Sequence, residues 1–265
     1  MTSRVARVGM AVALAMGAAS PLGAQEVDFT WRGAMEAGRT LEVRGISGDI
    51  RATLASGPEA EVVATKRGRS RDFDLVDIRV FEESDRVVVC ALYDQPERDS
   101  CDRRGDHDGR RGHSIDVSVD FEVRVPAGVE LVGRTVSGDV EAEGLRSDVD
   151  ASTVSGSVLV STTGVARGHT VSGEVDVEMG SLDWDRLDFE TVSGDITVRV
   201  PEGLDADIDF ESLSGDFSSD FDVEVRRRRD RFVGSELEGR IGEGTRQLRF
   251  KTVSGDVRLR RAGRL

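Results

Sequence analysis

The 265-residue sequence predicts an all-β protein, a single-domain parallel β-helix or β-solenoid with about 20 residues per coil. Three observations support this fold class: a recurring six-residue phrase, the nearly constant spacing of its copies, and a composition with 30 Gly and only 5% aromatic residues. Each coil of a solenoid buries its apolar side chains only against its neighbours, so a thin valine-rich stack does not need the bulky core of a globular domain.

The phrase reads Thr-Val-Ser-Gly-Asp-Val with small variations. Its copies are TVSGDV at 135–140, TVSGSV at 153–158, TVSGEV at 170–175, TVSGDI at 191–196, SLSGDF at 212–217, TVSGDV at 252–257 and a looser GISGDI at 45–50. Helix is disfavoured, because Gly, Ser, Thr and Val dominate and alternate with period two.

The spacing of the copies predicts the size of a coil. Between Ser137 and Ser214, successive phrase serines lie 18, 17, 21 and 21 residues apart. Strand residues rise about 3.3 Å each, so such a unit holds two short strands and two turns. The 90 residues from Ser47 to Ser137 leave room for several coils without the phrase. The 40 residues from Ser214 to Ser254 are expected to hold two units, the middle one without a recognisable copy.

Each position of the phrase has a predicted role. Its two apolar positions, four residues apart, are expected to form two interior columns of bulky side chains. The Ser-Gly pair is expected to form the corner, because Gly tolerates positive φ and a Ser hydroxyl can bond a nearby backbone group. The first column is Val136, Val154, Val171, Val192, Leu213 and Val253, and the second is Val140, Val158, Val175, Ile196, Phe217 and Val257. The corner residues are Ser47, Gly48, Ser137, Gly138, Ser155, Gly156, Ser172, Gly173, Ser193, Gly194, Ser214, Gly215, Ser254 and Gly255.

The position after the glycine is acidic in every copy except one, where Ser157 stands. Stacked coils would place these carboxylates about 5 Å apart, where they repel unless they are solvated, capped or bridged by a cation. A Ca²⁺ ladder is one interpretation. The nonapeptide pattern of calcium-binding solenoids is absent, so we expect each carboxylate to cap the N–H groups of its own turn instead. The acidic residues are Asp49, Asp139, Glu174, Asp195, Asp216 and Asp256, of which Asp139, Glu174, Asp195 and Asp216 are the weak metal candidates.

Residues 1–24 are predicted to be a signal peptide. Arg4 and Arg7 form a positive region, residues 8–19 form an apolar region of twelve residues, and residues 20–24 resemble a cleavage region. An uncleaved anchor is the alternative, but twelve apolar residues are few for a bilayer. We therefore expect residues 25–265 to be exported without a transmembrane segment, to the periplasm, the cell surface or the medium.

The charge balance excludes one class of partner. The formal net charge is −14, and removal of the two arginines in residues 1–24 would leave −16. Nucleic-acid binding requires clustered positive charge, so no nucleic-acid partner is expected. The strongest basic run, Arg226–Arg229, is interpreted as a solvated turn, with contact to an anionic surface polymer as the alternative.

The two cysteines, Cys90 and Cys101, are expected to form a disulfide, because an even count in an exported chain favours pairing. The alternative is that Cys90 is simply a buried apolar side chain. Residues 94–113 are polar, have no apolar period and are predicted to be an exposed loop insertion. The loop contains an Arg-Gly-Asp tripeptide at 104–106. It also contains potential metal ligands at Asp106, His107, Asp108 and His113, but their spacing fits no standard calcium or zinc site.

No catalytic or cofactor-binding residue is predicted. The sequence has no GxxxxGK[ST], GxSxG or HExxH motif, and its carboxylates recur as repeat positions rather than as one distinct pair. We therefore expect a non-enzyme without a cofactor.

The TVSGD[VI] repeats, the GISGDI copy and residues 236–257 (ELEGRIGEGTRQLRFKTVSGDV) resemble a bacterial family of β-strand-repeat proteins labelled putative adhesins. The resemblance covers most of residues 40–259. It implies a β-helical solenoid, often exported or at the cell envelope, with no catalytic residues to transfer. Ser157 and the loop 94–113 depart from the repeated pattern.

The sequence therefore predicts a non-catalytic envelope scaffold or adhesin. It names no partner, although an envelope protein or a surface polysaccharide would fit the expected location. One alternative is a sensing or regulatory module that binds an envelope partner, for example in envelope-stress signalling, through an open coil end. The other is a carbohydrate-active enzyme on a β-helix, which would need a cleft where acidic and basic groups converge.

Overall fold

The structure is a computed structural model that describes residues 29–93, 101, 115–230 and 234–263. The predicted signal peptide and all of the loop 94–113 except Cys101 lie outside these residues. The described chain contains one short 3₁₀ helix, Ser70–Leu75, and otherwise consists of strands and their connections. The strands are β1 (Phe29–Ala34), β2 (Thr40–Arg44), β3 (Ile50–Leu54), β4 (Glu59–Gly68), β5 (Val76–Glu82), β6 (Arg86–Tyr93), β7 (Val117–Val125), β8 (Glu130–Arg134), β9 (Val140–Leu145), β10 (Val149–Ser152), β11 (Val158–Thr162), β12 (Ala166–His169), β13 (Val175–Met179), β14 (Arg186–Glu190), β15 (Ile196–Val200), β16 (Ala206–Ser214), β17 (Phe217–Ser219), β18 (Glu224–Asp230), β19 (Ser235–Ile241), β20 (Arg246–Ser254) and β21 (Val257–Arg261).

The strands form two sheets around one apolar core. The first sheet has the order β1-β4-β7-β3-β9-β11-β13-β15-β21-β17, and the second has the order β18-β19-β16-β20-β14-β12-β10-β8-β2-β6-β5. One strand from each sheet makes a coil, and neighbouring coils pair in parallel. This confirms the predicted β-solenoid. Along the stack the coils are β6/β7, β2/β3, β8/β9, β10/β11, β12/β13, β14/β15, β20/β21 and β16/β17.

The coils do not follow one another in chain order at the two ends of the stack. The last phrase of the chain lies inside the stack, since Ser254 bridges Ser193 on one side and pairs with Ser214 on the other. The prediction that the 40-residue step holds an intermediate coil is therefore wrong. Those residues form β18 and β19. The chain then continues into β20 and β21, which lie between the coils β14/β15 and β16/β17.

The opposite end has the same arrangement. The coil β2/β3 lies between β6/β7 and β8/β9, so Ser47 bridges Ser137 directly despite their distance in sequence. The 90-residue step adds only one coil, β6/β7, together with the antiparallel strands β4 and β5. The sequence between β6 and β7 contains no copy of the phrase.

Antiparallel strands extend both ends of the stack. The strands β4 and β1 continue the first sheet beyond β7, and β5 continues the second sheet beyond β6. At the other end, β19 and β18 continue the second sheet beyond β16. Arg226–Arg229 lie in β18, so their interpretation as a turn is wrong. The run is extended because its backbone pairs with β19, and Arg227 forms an ion pair with Glu238 at 2.8 Å.

The second apolar column of the phrase is inside, as expected. Its members are at most 1% exposed, except for Phe217, which is partly buried in the outermost coil against Phe210 and Phe250. The first column is not interior. Val154, Val171, Val192, Leu213 and Val253 are between 40% and 53% exposed, and the residue before each of them is buried instead. The alternation of side chains is interrupted at the corner, so valine and serine both point outward.

The corner glycines have positive φ and also lie directly on the backbone of the next coil. Gly173 has a φ of +145°, and a Cβ placed on it would overlap the carbonyl oxygen of Gly156. The equivalent overlap recurs at the other corner glycines, in each case with a backbone carbonyl of the neighbouring coil. The phrase therefore requires glycine for its conformation and for the close approach of two backbones.

We predict that Gly173→Ala destabilises the protein by about 3 kcal/mol or more, because the chain must relieve both the unfavourable φ and the overlap. Gly203→Ala is the matched control, since its φ is +88° but a Cβ there has no neighbour within 4 Å. Gly203→Ala should lower the free energy of unfolding only by the cost of placing a non-glycine residue at positive φ, about 1–2 kcal/mol. Urea unfolding followed by circular dichroism measures both, and equal costs would contradict the role assigned to close approach.

Candidate functional site

The exposed first column forms a continuous feature that we call the valine ridge. In stack order it consists of Ile46, Val136, Val154, Val171, Val192, Val253 and Leu213. Ile46 and Val136 are partly exposed, and the other five are exposed. At the strand spacing of about 4.8 Å, seven consecutive coils give a row roughly 29 Å long. The ridge follows one corner of the solenoid.

Buried hydroxyls support the ridge from below. The Thr170 hydroxyl donates to the carbonyl oxygen of Gly156 at 2.9 Å, and the Thr153 hydroxyl donates to that of Gly138 at 2.9 Å. Thr135 and Thr191 make equivalent bonds to Gly48 and Gly173, at 3.1 and 3.4 Å. Each bond joins one coil to the corner of its neighbour. In the two coils at the C-terminal end, the hydroxyls of Ser212 and Thr252 are buried without a partner among the described residues.

The phrase serines contribute backbone rather than side-chain contacts. Their main chains bridge from coil to coil, while six of the seven side chains are exposed and that of Ser47 is partly exposed. Within the part of the chain that the structure describes, no hydrogen bond from these hydroxyls is present. The contact to a nearby backbone group that the sequence suggested for serine is made by the threonine two residues earlier, which is buried and directly follows the strand of the second sheet.

The acidic positions form a ladder between coils. Asp49 Oδ1 accepts the backbone N–H of Asp139 at 2.9 Å, and Asp139 Oδ1 accepts that of Ser157 at 2.7 Å. Asp195 accepts from Asp256 at 2.8 Å in the same way. Asp49, Asp139, Asp195 and Asp256 therefore cap a neighbouring coil, which corrects the partner expected for these four carboxylates. The parallel stack causes this, because it places the equivalent N–H of the next coil above each carboxylate.

Two residues extend the ladder beyond the acidic pattern. Asp120, in the coil without the phrase, accepts the N–H of Asp49 at 3.1 Å, and the Ser157 hydroxyl accepts that of Glu174 at 3.4 Å. Ser157 can therefore replace an acid because the position requires only an acceptor. Asp120 was missed in the sequence, where it stands within an alternating strand and outside any copy of the phrase.

Arginines neutralise several of these carboxylates on their other oxygen. Arg258 contacts Asp195 at 2.7 Å and Asp256 at 3.2 Å, and Arg51 contacts Asp49 at 2.9 Å. The hydrogen bond from Arg258, with the N–H of Asp256, lowers the pKa of Asp195 below its usual value. Within residues 29–93, 101, 115–230 and 234–263, no three metal-ligating side chains are grouped to hold an ion. The weak metal candidates Asp139, Glu174, Asp195 and Asp216 therefore belong to no such group among the described residues.

A shallow cavity of about 340 Å³ lies on the second sheet, near the end formed by β18 and β19. Its charged lining alternates in sign and includes Asp207, Arg226, Glu238 and Arg249. The hydrogen bond and charge of Arg240 lower the pKa of Asp207, so this carboxyl is ionised at neutral pH. No pattern in the sequence indicates this cavity, because its lining comes from five strands, β14, β16, β18, β19 and β20, that meet only in the folded sheet.

The disulfide between Cys90 and Cys101 is present, with the two Cα atoms 6.1 Å apart. Beside it lies Glu42, a carboxylate that is only 3% exposed. Arg44 contacts Glu42 at 2.6 Å and donates to the Cys101 carbonyl oxygen at 3.1 Å. Arg86 also contacts Glu42, at 3.6 Å. The sequence pattern does not indicate this buried carboxylate, because alternation assigns position 42 to the outer face.

Comparison with known proteins places the chain in a family. The family described as Toastrack DUF4097 matches residues 116–260, from the residue before β7 almost to the end of β21. The chain belongs to the Toastrack DUF4097 family. No curated protein matches it significantly.

Solved structures similar to this Toastrack chain have low sequence identity. One, a putative cell adhesion protein from Clostridium sporogenes, is 9% identical, with 88% of this chain and 99% of that chain covered and a TM-score of 0.43. Another, a putative adhesin from Bacteroides fragilis, is 11% identical, with coverage of 89% and 100% and a TM-score of 0.35. A third, from Parabacteroides distasonis, is 9% identical, with coverage of 87% and 96% and a TM-score of 0.28.

No helix within the described residues is long and apolar enough to span a bilayer.

For the Toastrack solenoid we predict that Thr170→Val costs about 1 kcal/mol of stability, because a buried hydrogen bond to Gly156 is lost while the shape is kept. Thr252→Val is the matched control at the same position of another coil. Its hydroxyl is buried without a partner among the described residues, so its removal should be neutral or stabilising. Urea midpoints at unchanged m-value measure the difference, and equal losses in both variants would refute the assigned bond.

We also predict a pH-dependent effect of Asp195→Asn. The folded pKa of Asp195 is lowered, so its ionic stabilisation is present above the unfolded pKa of about 4 and is lost as the pH falls through the folded value. The variant should be less stable than wild type near neutral pH and approach it in acid. Asp195→Ala also loses the acceptor for Asp256, so its deficit should persist in acid. A pH-independent Asp195→Asn deficit in thermal melts would contradict the assignment.

Proposed function

We propose that this Toastrack protein is a non-catalytic, exported scaffold or adhesion protein, and that the valine ridge is its recognition surface. The ridge carries the proposal, because it places branched apolar side chains in solvent over seven coils. Contiguous exposed apolar surface on a soluble protein commonly marks an interaction site. The predicted signal peptide, residues 1–24, supports export.

The outer faces of the two sheets differ from the ridge. On the second sheet, Arg249 pairs with Asp209 at 3.5 Å and Arg186 pairs with Asp188 at 2.9 Å. On the first sheet, Arg199 pairs with Asp176. The pair Arg186–Asp188 lies within one strand and the other two pairs cross neighbouring strands, and together these charges keep the faces solvated. The apolar side chains of the ridge have no comparable partner within the described chain.

The ridge is also held rigidly. Its backbone is fixed on three sides: the threonine hydroxyls below, the close glycine contacts at the corner and the ladder of carboxylate acceptors beside it. A rigid binding surface loses little conformational entropy when a partner binds. This property suits a structural recognition surface better than a flexible loop would.

The geometry supports the alternative functions less well. A carbohydrate-active enzyme would need carboxyls that converge on an open cleft, whereas each carboxylate of the cavity contacts an arginine: Asp207 contacts Arg240 at 2.6 Å, Asp209 contacts Arg249 at 3.5 Å and Glu238 contacts Arg227 at 2.8 Å. A module that binds through an open coil end would need an uncovered coil. Here β4 and β5 cover one end, and β19 covers the second-sheet strand of the coil at the other.

We predict that the triple variant Val154→Thr, Val171→Thr and Val192→Thr binds isolated bacterial cell envelopes about tenfold more weakly than wild type. Threonine keeps the β-branched shape while removing exposed apolar groups, so the fold should be preserved. Leu159→Thr is the control, because Leu159 is 41% exposed but lies on an outer sheet face. Sedimentation of labelled protein with envelopes measures binding, and undiminished binding of a folded triple variant would contradict the proposal.

A further inference from the structure

We propose that the valine ridge joins two copies of this chain side by side, with their stacks parallel and their coils in register. The inference rests on the proposed function, since it names the partner of the same recognition surface. The twofold axis would run parallel to the stack, between the two ridges. Each ridge residue would then face its own counterpart in the second copy.

The period of the ridge favours such a partner. A partner surface that contacts all seven side chains of the ridge must present an apolar group about every 4.8 Å along the full ridge length of roughly 29 Å. A second ridge has this period because it is built on the same strand pairing. In-register packing also places side chains of equal size opposite one another, as in the dry interfaces between paired sheets.

The charges on the two sides of the ridge favour the parallel arrangement. In each coil, the residue just before the phrase lies on the second-sheet side of the ridge, and the acidic position of the phrase lies on the first-sheet side. In a parallel dimer, the residue before the phrase in one copy therefore meets the acidic position of the equivalent coil in the other copy. Four coils then place a nitrogen-bearing side chain opposite an acid: Arg44 with Asp49, Arg134 with Asp139, His169 with Glu174, and Lys251 with Asp256. Within one copy Arg44 already contacts Glu42, and Arg51 and Arg258 already contact Asp49 and Asp256, so the charge argument rests mainly on Asp139 and Glu174.

The remaining coils are compatible with this pairing. In the coil that lacks an acid, Ser157 would face Ser152, so both positions are neutral. Two coils would place acid opposite acid, but one carboxylate of each pair already has an arginine. Asp195 contacts Arg258 at 2.7 Å, and Glu211 contacts Arg249 at 3.6 Å. An antiparallel dimer would instead bring the two acidic columns together, which like-charge repulsion opposes.

The size of the ridge sets the expected strength. One row of half-exposed side chains with its two polar flanks is smaller than the roughly 800 Å² per partner of a standard stable interface. We therefore expect a weak dimer in reversible exchange with monomer. The high negative charge of each copy also opposes association at long range, which makes a permanent dimer less favourable.

Sedimentation equilibrium of the purified protein over a concentration series tests the association. Wild type and Leu159→Thr should show the same monomer–dimer equilibrium. The triple variant Val154→Thr, Val171→Thr and Val192→Thr should weaken it by about tenfold while keeping the wild-type circular dichroism spectrum. Wild type that remains monomeric at the highest concentration, or a triple variant that dimerises as wild type does, would overturn the inference.

Cysteine cross-linking tests the arrangement. The variants Val154→Cys, Val171→Cys and Val192→Cys should each form covalent dimers under mild oxidation, because each residue faces itself, whereas Leu159→Cys should not. The native cysteines are already paired with each other. A mixture of Val136→Cys and Val253→Cys, distinguished by size tags, should give no mixed dimer. Mixed dimers would establish an antiparallel arrangement and refute the parallel one.

The two proposals fail in distinguishable ways. If the purified protein is monomeric but the triple threonine variant loses envelope binding, the dimer is refuted and the recognition role of the ridge stands. If the dimer forms through the ridge but envelope binding is unchanged in the triple variant, the proposed recognition of the envelope is refuted instead.

Discussion

The structure depends on the close approach of neighbouring backbones at the glycine corner. Parallel strand pairing sets the distance between coils, and at the corner each glycine lies against a backbone carbonyl of the next coil. A side chain there would separate the coils and break the pairing on both sheets. The threonine hydroxyl and the acidic acceptor complete this contact, since each bonds backbone atoms of a neighbouring coil. The repeated phrase is thus the set of residues that lets two coils meet at a corner.

The same constraint produces the surface to which we assign function. A strand alternates inward and outward side chains, but the corner interrupts this alternation and leaves two successive residues outside. The valine is exposed because the threonine before it occupies the interior. Stacking repeats this arrangement in every coil, so a requirement of folding creates a straight apolar row. The sheet faces, where alternation is intact, carry paired charges instead.

The ends of the stack show how the same fold limits itself. Uncovered coils would present unpaired backbone groups and apolar side chains to other molecules. Here the outer coils are extended by antiparallel strands, and the outermost strand of the second sheet at the C-terminal end carries the arginine run. The first copy of the phrase lies one coil inside the stack, between two coils formed by later segments of the chain. The last copy also lies one coil inside, between two coils formed by earlier segments.

The sequence by itself determined the all-β solenoid, the approximate size of a coil, the corner glycines and the second interior column. These follow from spacing, alternation and the conformational range of glycine, which are local properties. Only the tertiary structure decided that Thr170 is inside and Val171 outside, because a corner changes which side of the chain faces the core. It also decided the order of the coils, the partner of Asp139 and the burial of Glu42, since each depends on which distant segment lies alongside. Seven copies of one phrase specify what a corner must contain, but the direction in which its valine points is set by how the folded chain turns at that corner.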